Sequence, residues 1–295
     1  MRPPDEERTF SGLLYDKTGG GRLPLAPGRH LGSTVPATHY PLPATRLPDS
    51  PLPLRPRSAT EIVDAAFQLY RRDPIAYLLV SAVCYAPILI LQLFILGPAT
   101  QIEEQLTRLT GGFSLILLFG YWISLSLMNA VIIRLSSEDY LGNRIEPAVA
   151  VQDAIARLPP VMFGLLFKYI LMLIGALFFF IGLFYVIARY FAVTAGIVIE
   201  KRGVLAAFGR STTLSRGRKL HILGTSLLAF LIFFVVYFAV AIVAAMIGSM
   251  VITTILTVIA SILAYPMFAI TEMLLYYDAR VRNEGYDIEM MAEAI

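Results

Sequence analysis

The sequence predicts an all-α integral membrane protein: six transmembrane helices arranged as three hairpins, each preceded by a short cytoplasmic interfacial helix. Three observations predict it. The 295 residues are 57 % hydrophobic and only 15 % charged, with a mean hydropathy of +0.69, outside the range of ordinary soluble domains. Four apolar blocks are longer than a soluble protein would expose. The basic residues that follow the third block fall on the cytoplasmic side only when that block is divided into two crossings.

Residues 1–57 hold eleven of the eighteen prolines and show no sustained periodicity, the composition of a disordered or polyproline-like cytoplasmic tail. No apolar core followed by a small-residue cleavage site marks a signal peptide, so the first span is expected to act as an uncleaved anchor. The stretch PLPATRLPDSPLPLRP suits a linker and also a ligand of a proline-reading domain.

A six-helix membrane domain is expected over residues 58–278. Its first span, about 75–97, would be about 34 Å long as a helix, enough for a hydrocarbon core of about 30 Å. Pro87 inside it is expected to kink the helix and not to end it. The second span is read at about 113–134. The block 161–199 would measure about 58 Å as one helix. One crossing there would put Lys201, Arg202, Arg210, Arg216, Arg218 and Lys219 outside, against the Lys and Arg bias of cytoplasmic loops. Two short spans, about 161–180 and 183–199, turning near Ile181 and Gly182, keep those charges inside.

The last block, about 87 Å if continuous, divides at Gly248 and Ser249 into spans at about 220–247 and 251–277. Both termini are then cytoplasmic. The outer loop Pro98 to Gly112 carries Arg108 against Glu103 and Glu104. The C-terminal tail, 279–295, carries Arg280 and Arg282 close to the membrane.

Each pair of spans follows a short, partly amphipathic segment. SATEIVDAAFQLYRRDP opens with a capping box, Ser58 with Glu61, and aligns Ile62, Val63, Ala66, Phe67 and Tyr70 opposite Asp64, Gln68 and Arg71. EPAVAVQDAIARLPP starts with Pro147 in the first turn, aligns Ala148, Val151, Ile155 and Leu158, and is ended by Pro159 and Pro160. GVLAAFGRSTTLSRGRK presents Val204, Leu205, Phe208 and Leu214, with Gly217 as breaker. The chain thus reads as three copies of an interfacial helix plus a transmembrane pair, with spacing too irregular for a sequence repeat.

Four residues are candidates for an intramembrane polar or anion site: Arg189, Glu272, Lys168 and Asn129. Arg189 lies about 16 Å above the cytoplasmic boundary of its span, where an arginine faces a partner or a wet cavity. Glu272 is the expected partner, with snorkelling bringing the two to one depth. One reading makes Arg189 a lipid-phosphate or substrate-anion site; the other makes it an internal ion pair that fixes helix packing. Lys168 can snorkel to the interface, and Asn129 suits an interhelical hydrogen bond. Arg71, Arg72, Arg210, Arg216, Arg218 and Lys219 are the candidate cytoplasmic contacts to lipid or a partner. Ala241, Ala244, Ala245 and Gly248 suit close helix packing, within the chain or between copies, which leaves room for an oligomer.

The segments RPRSATEIVDAAFQLYRRDP, VIEKRGVLAAFGRSTTLSRGR and LLYYDARVRNEGYDIEMMA, in this order, resemble a bacterial multi-pass family related to the membrane domain fused to some glycerophosphodiester phosphodiesterases. The resemblance covers about residues 55 to 291 and implies a six-helix integral membrane domain. It supplies no catalytic residues. The fused enzymes carry a soluble catalytic barrel after the membrane domain, and this chain ends eighteen residues after Tyr277, so phosphodiesterase activity is not expected.

The inventory of chemistry is thin. His30, His39 and His221 lack zinc spacing, so no metal site is expected. The glycines of KTGGGR match no P-loop, no nucleophile has a base at a recognisable spacing, and no cofactor is called for. The single cysteine, Cys84, cannot form an intramolecular disulfide. A basic stripe interleaved with aromatics on a soluble surface is missing, which excludes nucleic acid as a partner. The expectation is a non-enzymatic protein of a bacterial cytoplasmic membrane. It contacts membrane lipids and serves as a scaffold or accessory subunit for a membrane or cytoplasmic protein partner. The alternative is transport or handling of a lipid or amphiphile within the bundle.

Overall fold

The computed structural model describes residues 55–96, 107, 111–143, 145–178 and 181–286. The tail read at 1–54, with its KTGGGR glycines, His30 and His39, lies outside the described residues. So do the loop charges Glu103, Glu104 and Arg108, and positions 287–295 of the C-terminal tail. The described residues form ten helices and no strand. Six helical segments are long and apolar enough to cross a membrane.

Helix α1, Ala59–Arg72, begins with the capping box that its sequence announces. The Ser58 backbone amide donates to Glu61 Oε2 at 2.7 Å, and the Glu61 amide donates to the Ser58 hydroxyl. Two orphan amides of the first turn are thereby satisfied. The helix buries Ile62, Val63, Ala65, Ala66 and Leu69, and withdrawing each of the larger three from water stabilises the fold by about 1.5–3 kcal/mol. Phe67, placed on that face from sequence, is exposed.

Helices α2, Pro74–Leu96, and α3, Phe113–Tyr140, pack along each other. Helix α2 continues through Pro87. Tyr77, at the start of α2, donates to Asp139 near the end of α3, so these two ends lie side by side. Helix α3 continues past 134, where the apolar block ends, to Tyr140, and its last turns are mostly buried in protein.

Helix α4, Pro147–Ala156, lies against α3. Its buried residues are Ala150 and Ala154, while Ala148 and Ile155 of the predicted stripe face outward. Small side chains let α4 approach α3 closely, and the bulkier apolar residues turn away from the bundle. Helix α5, Leu158–Leu177, starts one residue later with Pro159 and Pro160 in its first turn. Those prolines open the third span as well as closing α4, since a missing amide costs nothing in a first turn.

The fourth span is broken, which the sequence does not foretell. Helix α6, Ile181–Arg189, stops at Tyr190, and α7, Val193–Val198, resumes after Ala192. Ser211 on helix α8, Val204–Leu214, closes the gap. Its hydroxyl accepts from the Ala192 amide at 3.0 Å and donates to the Arg189 carbonyl at 2.9 Å. Non-helical backbone at membrane depth needs such internal partners. Residues 191–198 are all buried, against α3, α5 and α8. Helix α8 accordingly buries Ala207, Ser211 and Leu214, and the predicted face fails at Leu205, which is 83 % exposed.

Helix α9, Lys219–Ile247, ends at Gly248, whose φ of 72° lies in the left-handed region. Ser249 then caps α10, Met250–Glu284. The break at Gly248 and Ser249 is therefore where the sequence puts it. Helix α10 is the centre of the fold, touching α1, α2, α3, α7, α8 and α9. From Ala269 to Ala279 every residue is buried, so it is surrounded on all sides. It extends past 277 to Glu284, and the predicted tail boundary at 279 falls inside it. The other tail boundary also shifts: Arg57 is buried, and its backbone amide donates to Asp278 at 2.8 Å.

Packing is thus tight at the end of the bundle that holds α1, α4 and α8. The far ends, with Phe94, Leu115, Leu177 and Met246, are broadly exposed.

Candidate functional site

A cavity of about 610 Å³ lies among the spans, within the range of small-molecule sites. Side chains from all six spans line it, including Tyr85 of α2, Tyr121 of α3, Leu165 of α5, Phe184 of α6, Phe233 of α9 and Ser261 of α10. The wall is mainly apolar and aromatic, with a few convergent polar groups. Tyr85 donates to the Tyr121 hydroxyl at 3.4 Å. Trp122 packs edge-on against Tyr169 at 5.5 Å, and Tyr169 also lines the space.

Three of the four intramembrane candidates meet here. Lys168 of α5 and Glu272 of α10 both line the cavity and form an ion pair at 3.5 Å. Glu272 is 8 % exposed, and both side chains point inward to each other. The pair neutralises two charges that would each be costly in hydrocarbon. Asn129 of α3 donates to the Tyr265 hydroxyl at 2.8 Å. Its Oδ1 is buried without a partner among the described residues. A buried amide oxygen left without a partner is an acceptor facing a ligand-sized space.

Arg189 is elsewhere, and its expected pairing with Glu272 does not form. The reason is the break after Arg189, which turns its side chain toward α8 and away from the cavity. Its Nη1 donates to the Tyr185 hydroxyl at 2.6 Å, and its Nε donates to Thr212 Oγ1 at 3.3 Å. The guanidinium also stands 5.6 Å and 5.5 Å from the ring centres of Tyr185 and Tyr190, at cation–π distance.

At the tightly packed end, charges cancel one another. Arg210 Nε donates to Glu200 Oε1 at 2.7 Å, and Arg210 Nη2 donates to Glu284 Oε2 at 2.8 Å. Glu200 also accepts from Arg202 and from the Tyr276 hydroxyl. Burial works against ionisation of Glu200, but the hydrogen bonds from Arg210, Tyr276 and Arg202 outweigh it and hold the carboxyl below its ordinary range. The hydrogen bond to Glu284 holds the Arg210 proton more firmly than usual. Arg134 bridges Glu138 and Asp153, which ties α4 to α3. Asp278 accepts from Arg282, whose Nη2 donates back to the Arg57 carbonyl at 2.6 Å.

Of the six candidate cytoplasmic contacts, Arg210 is therefore committed internally and is no open contact. Arg71 and Arg216 are exposed, while Arg72, Arg218 and Lys219 are half-buried. Lys219 places its Nζ 4.9 Å from the centre of the Tyr185 ring. Among the described residues no group of His, Cys, Asp and Glu could hold a metal ion.

Sequence reasoning missed the tyrosines of the cavity, Tyr85, Tyr121, Tyr169, Tyr237 and Tyr265. Their signal was available: tyrosines favour the membrane interface, and several within apolar blocks mark a polar interior. Compared with known proteins, the chain matches no protein family, no curated protein and no solved structure.

Proposed function

We propose that this protein binds an amphiphile, a lipid or a molecule of similar build, in the cavity among its six spans. The observation that carries the reading is the cavity itself: an apolar space walled by every span, with Lys168, Glu272 and Asn129 in its wall. An apolar body fits the aromatic wall, and a polar end exchanges hydrogen bonds with the ion pair and the free Asn129 oxygen.

The same reading takes the spans as three hairpins, each preceded by a helix at the membrane surface. The outward apolar residues Phe67 of α1, Ile155 of α4 and Leu205 of α8 support lipid contact by those helices. The arginine-rich end is then cytoplasmic, in a bacterial cytoplasmic membrane, with both termini on that side.

The test is to purify the intact protein in a mild uncharged detergent and identify what stays bound by mass spectrometry. Ala229 lines the cavity, and Ala229→Phe fills part of it. A stoichiometric amphiphile in the wild type that is lost from Ala229→Phe supports the reading. An empty wild type, or equal retention by the variant, rejects it.

A second reading, a scaffold for a protein partner, is favoured by exposed Arg71 and Arg216 on the same end. A protein that co-purifies with the wild type and is lost from an Arg71→Gln/Arg216→Gln variant would support it.

A further inference from the structure

We infer that Arg189 and Lys219 form an anion site for the phosphate of a membrane lipid headgroup, at the packed end of the bundle and separate from the cavity. Both cations stand on the ring of Tyr185, Arg189 at 5.6 Å and Lys219 at 4.9 Å from its centre. Two like charges gathered on one ring repel unless an anion lies between or beside them.

No protein anion does so among the described residues: neither cation is in an ion pair. Three acids of this end are spoken for: Glu200 and Glu284 hold Arg210, and Asp278 holds Arg282.

The site is also built. Arg189 is fixed by the Tyr185 hydroxyl, by Thr212 and by the faces of Tyr185 and Tyr190. Thr212 in turn donates its hydroxyl to the Phe208 carbonyl at 2.9 Å, which leaves its oxygen to accept from Arg189. The guanidinium is therefore held in one orientation before any ligand arrives, with Nη2 uncommitted. A planar fork beside a compact ammonium suits the oxygens of a phosphate.

The lipid source is favoured by what lies around the cations. Ile181 and Tyr185 on α6 and Leu220 on α9 are exposed, Leu220 at 85 %, and offer an apolar surface for acyl chains. Neither Arg189 nor Lys219 lines the cavity, so this site stands whether or not the cavity binds an amphiphile.

The test titrates the full chain, in an uncharged detergent freed of lipid, with three probes: a short-chain phosphatidylglycerol, the matching diacylglycerol without phosphate, and inorganic phosphate. Phosphatidylglycerol is expected to bind at least about tenfold more tightly than diacylglycerol, and Arg189→Gln and Lys219→Gln are each expected to weaken it by about tenfold. Arg189→Lys keeps a charge and should lose less, while Ala229→Phe should change nothing here. Displacement of the lipid by inorganic phosphate supports the anion site and assigns it to a soluble phosphate; no displacement supports the lipid.

Equal binding of phosphatidylglycerol and diacylglycerol overturns the inference. So does unchanged binding in both glutamine variants. Lys219 is half-buried at the surface, so its variant reports even where Arg189→Gln does not fold.

Discussion

The Ser211 hydroxyl donates to the carbonyl of Arg189 at 2.9 Å and so fastens helix α8 to the gap in the fourth span. The same oxygen accepts from the Ala192 amide. Ser211→Ala removes both bonds and leaves a half-buried carbonyl and a buried amide without partners, at a cost of about 1–3 kcal/mol. Denaturing-detergent titration should show that loss. A variant as stable as the wild type would show that the break needs no pin.

Lys168 and Glu272 should behave as a unit. Removing one partner leaves the other charge buried and alone, so Lys168→Met and Glu272→Gln should each destabilise by about 3–5 kcal/mol. The double variant Lys168→Met/Glu272→Gln should cost less than either single change. Additive losses in the cycle would mean that the two side chains do not depend on each other.

Gly175 and Gly182 meet where α5 gives way to α6. A Cβ on Gly175 would lie 2.6 Å from the backbone carbon of Gly182, and one on Gly182 would lie equally close to the Gly175 carbonyl oxygen. The neighbour is backbone and cannot swing aside, so Gly175→Ala should separate the two helices and cost about 1–3 kcal/mol. Gly203→Ala, where nothing lies within 4 Å, serves as the control. Equal stability of the two variants would contradict the close approach.

Acid should loosen the packed end through Glu200. Its carboxyl titrates below the ordinary value, so its contribution is complete above that value and is lost as pH falls through the lowered one. Unfolding measured from neutrality downward should be flat until roughly pH 5 and then fall. Glu200→Gln should be less stable at neutral pH and show a shallower fall. An identical acid profile in wild type and variant would remove Glu200 from the account.

The six long apolar helices were legible because length and hydropathy are read directly off the sequence. The division at Gly248 and the cap at Ser58 were legible because both depend on local chemistry. The break after Arg189 was not, since Ala188, Arg189, Tyr190 and Phe191 carry no helix-breaking signal and the pin comes from Ser211 in another helix. The outward turn of Ile155 and Leu205 escaped for a related reason: amphipathic patterns say which face is apolar, not whether lipid or protein covers it. The Lys168 and Glu272 pair joins residues 104 positions apart, a separation at which sequence offers composition but no register.

The docking of Arg57 onto Asp278 spans 221 positions of sequence. A ribosome adding about 5–20 residues per second needs tens of seconds to make that stretch. For that interval α1 has emerged while the surface it buries against has not been synthesised. Assembly of the packed end therefore waits for the last two helices, and a truncation that removes α9 and α10 would leave most of the earliest helix's apolar face uncovered for the life of the chain.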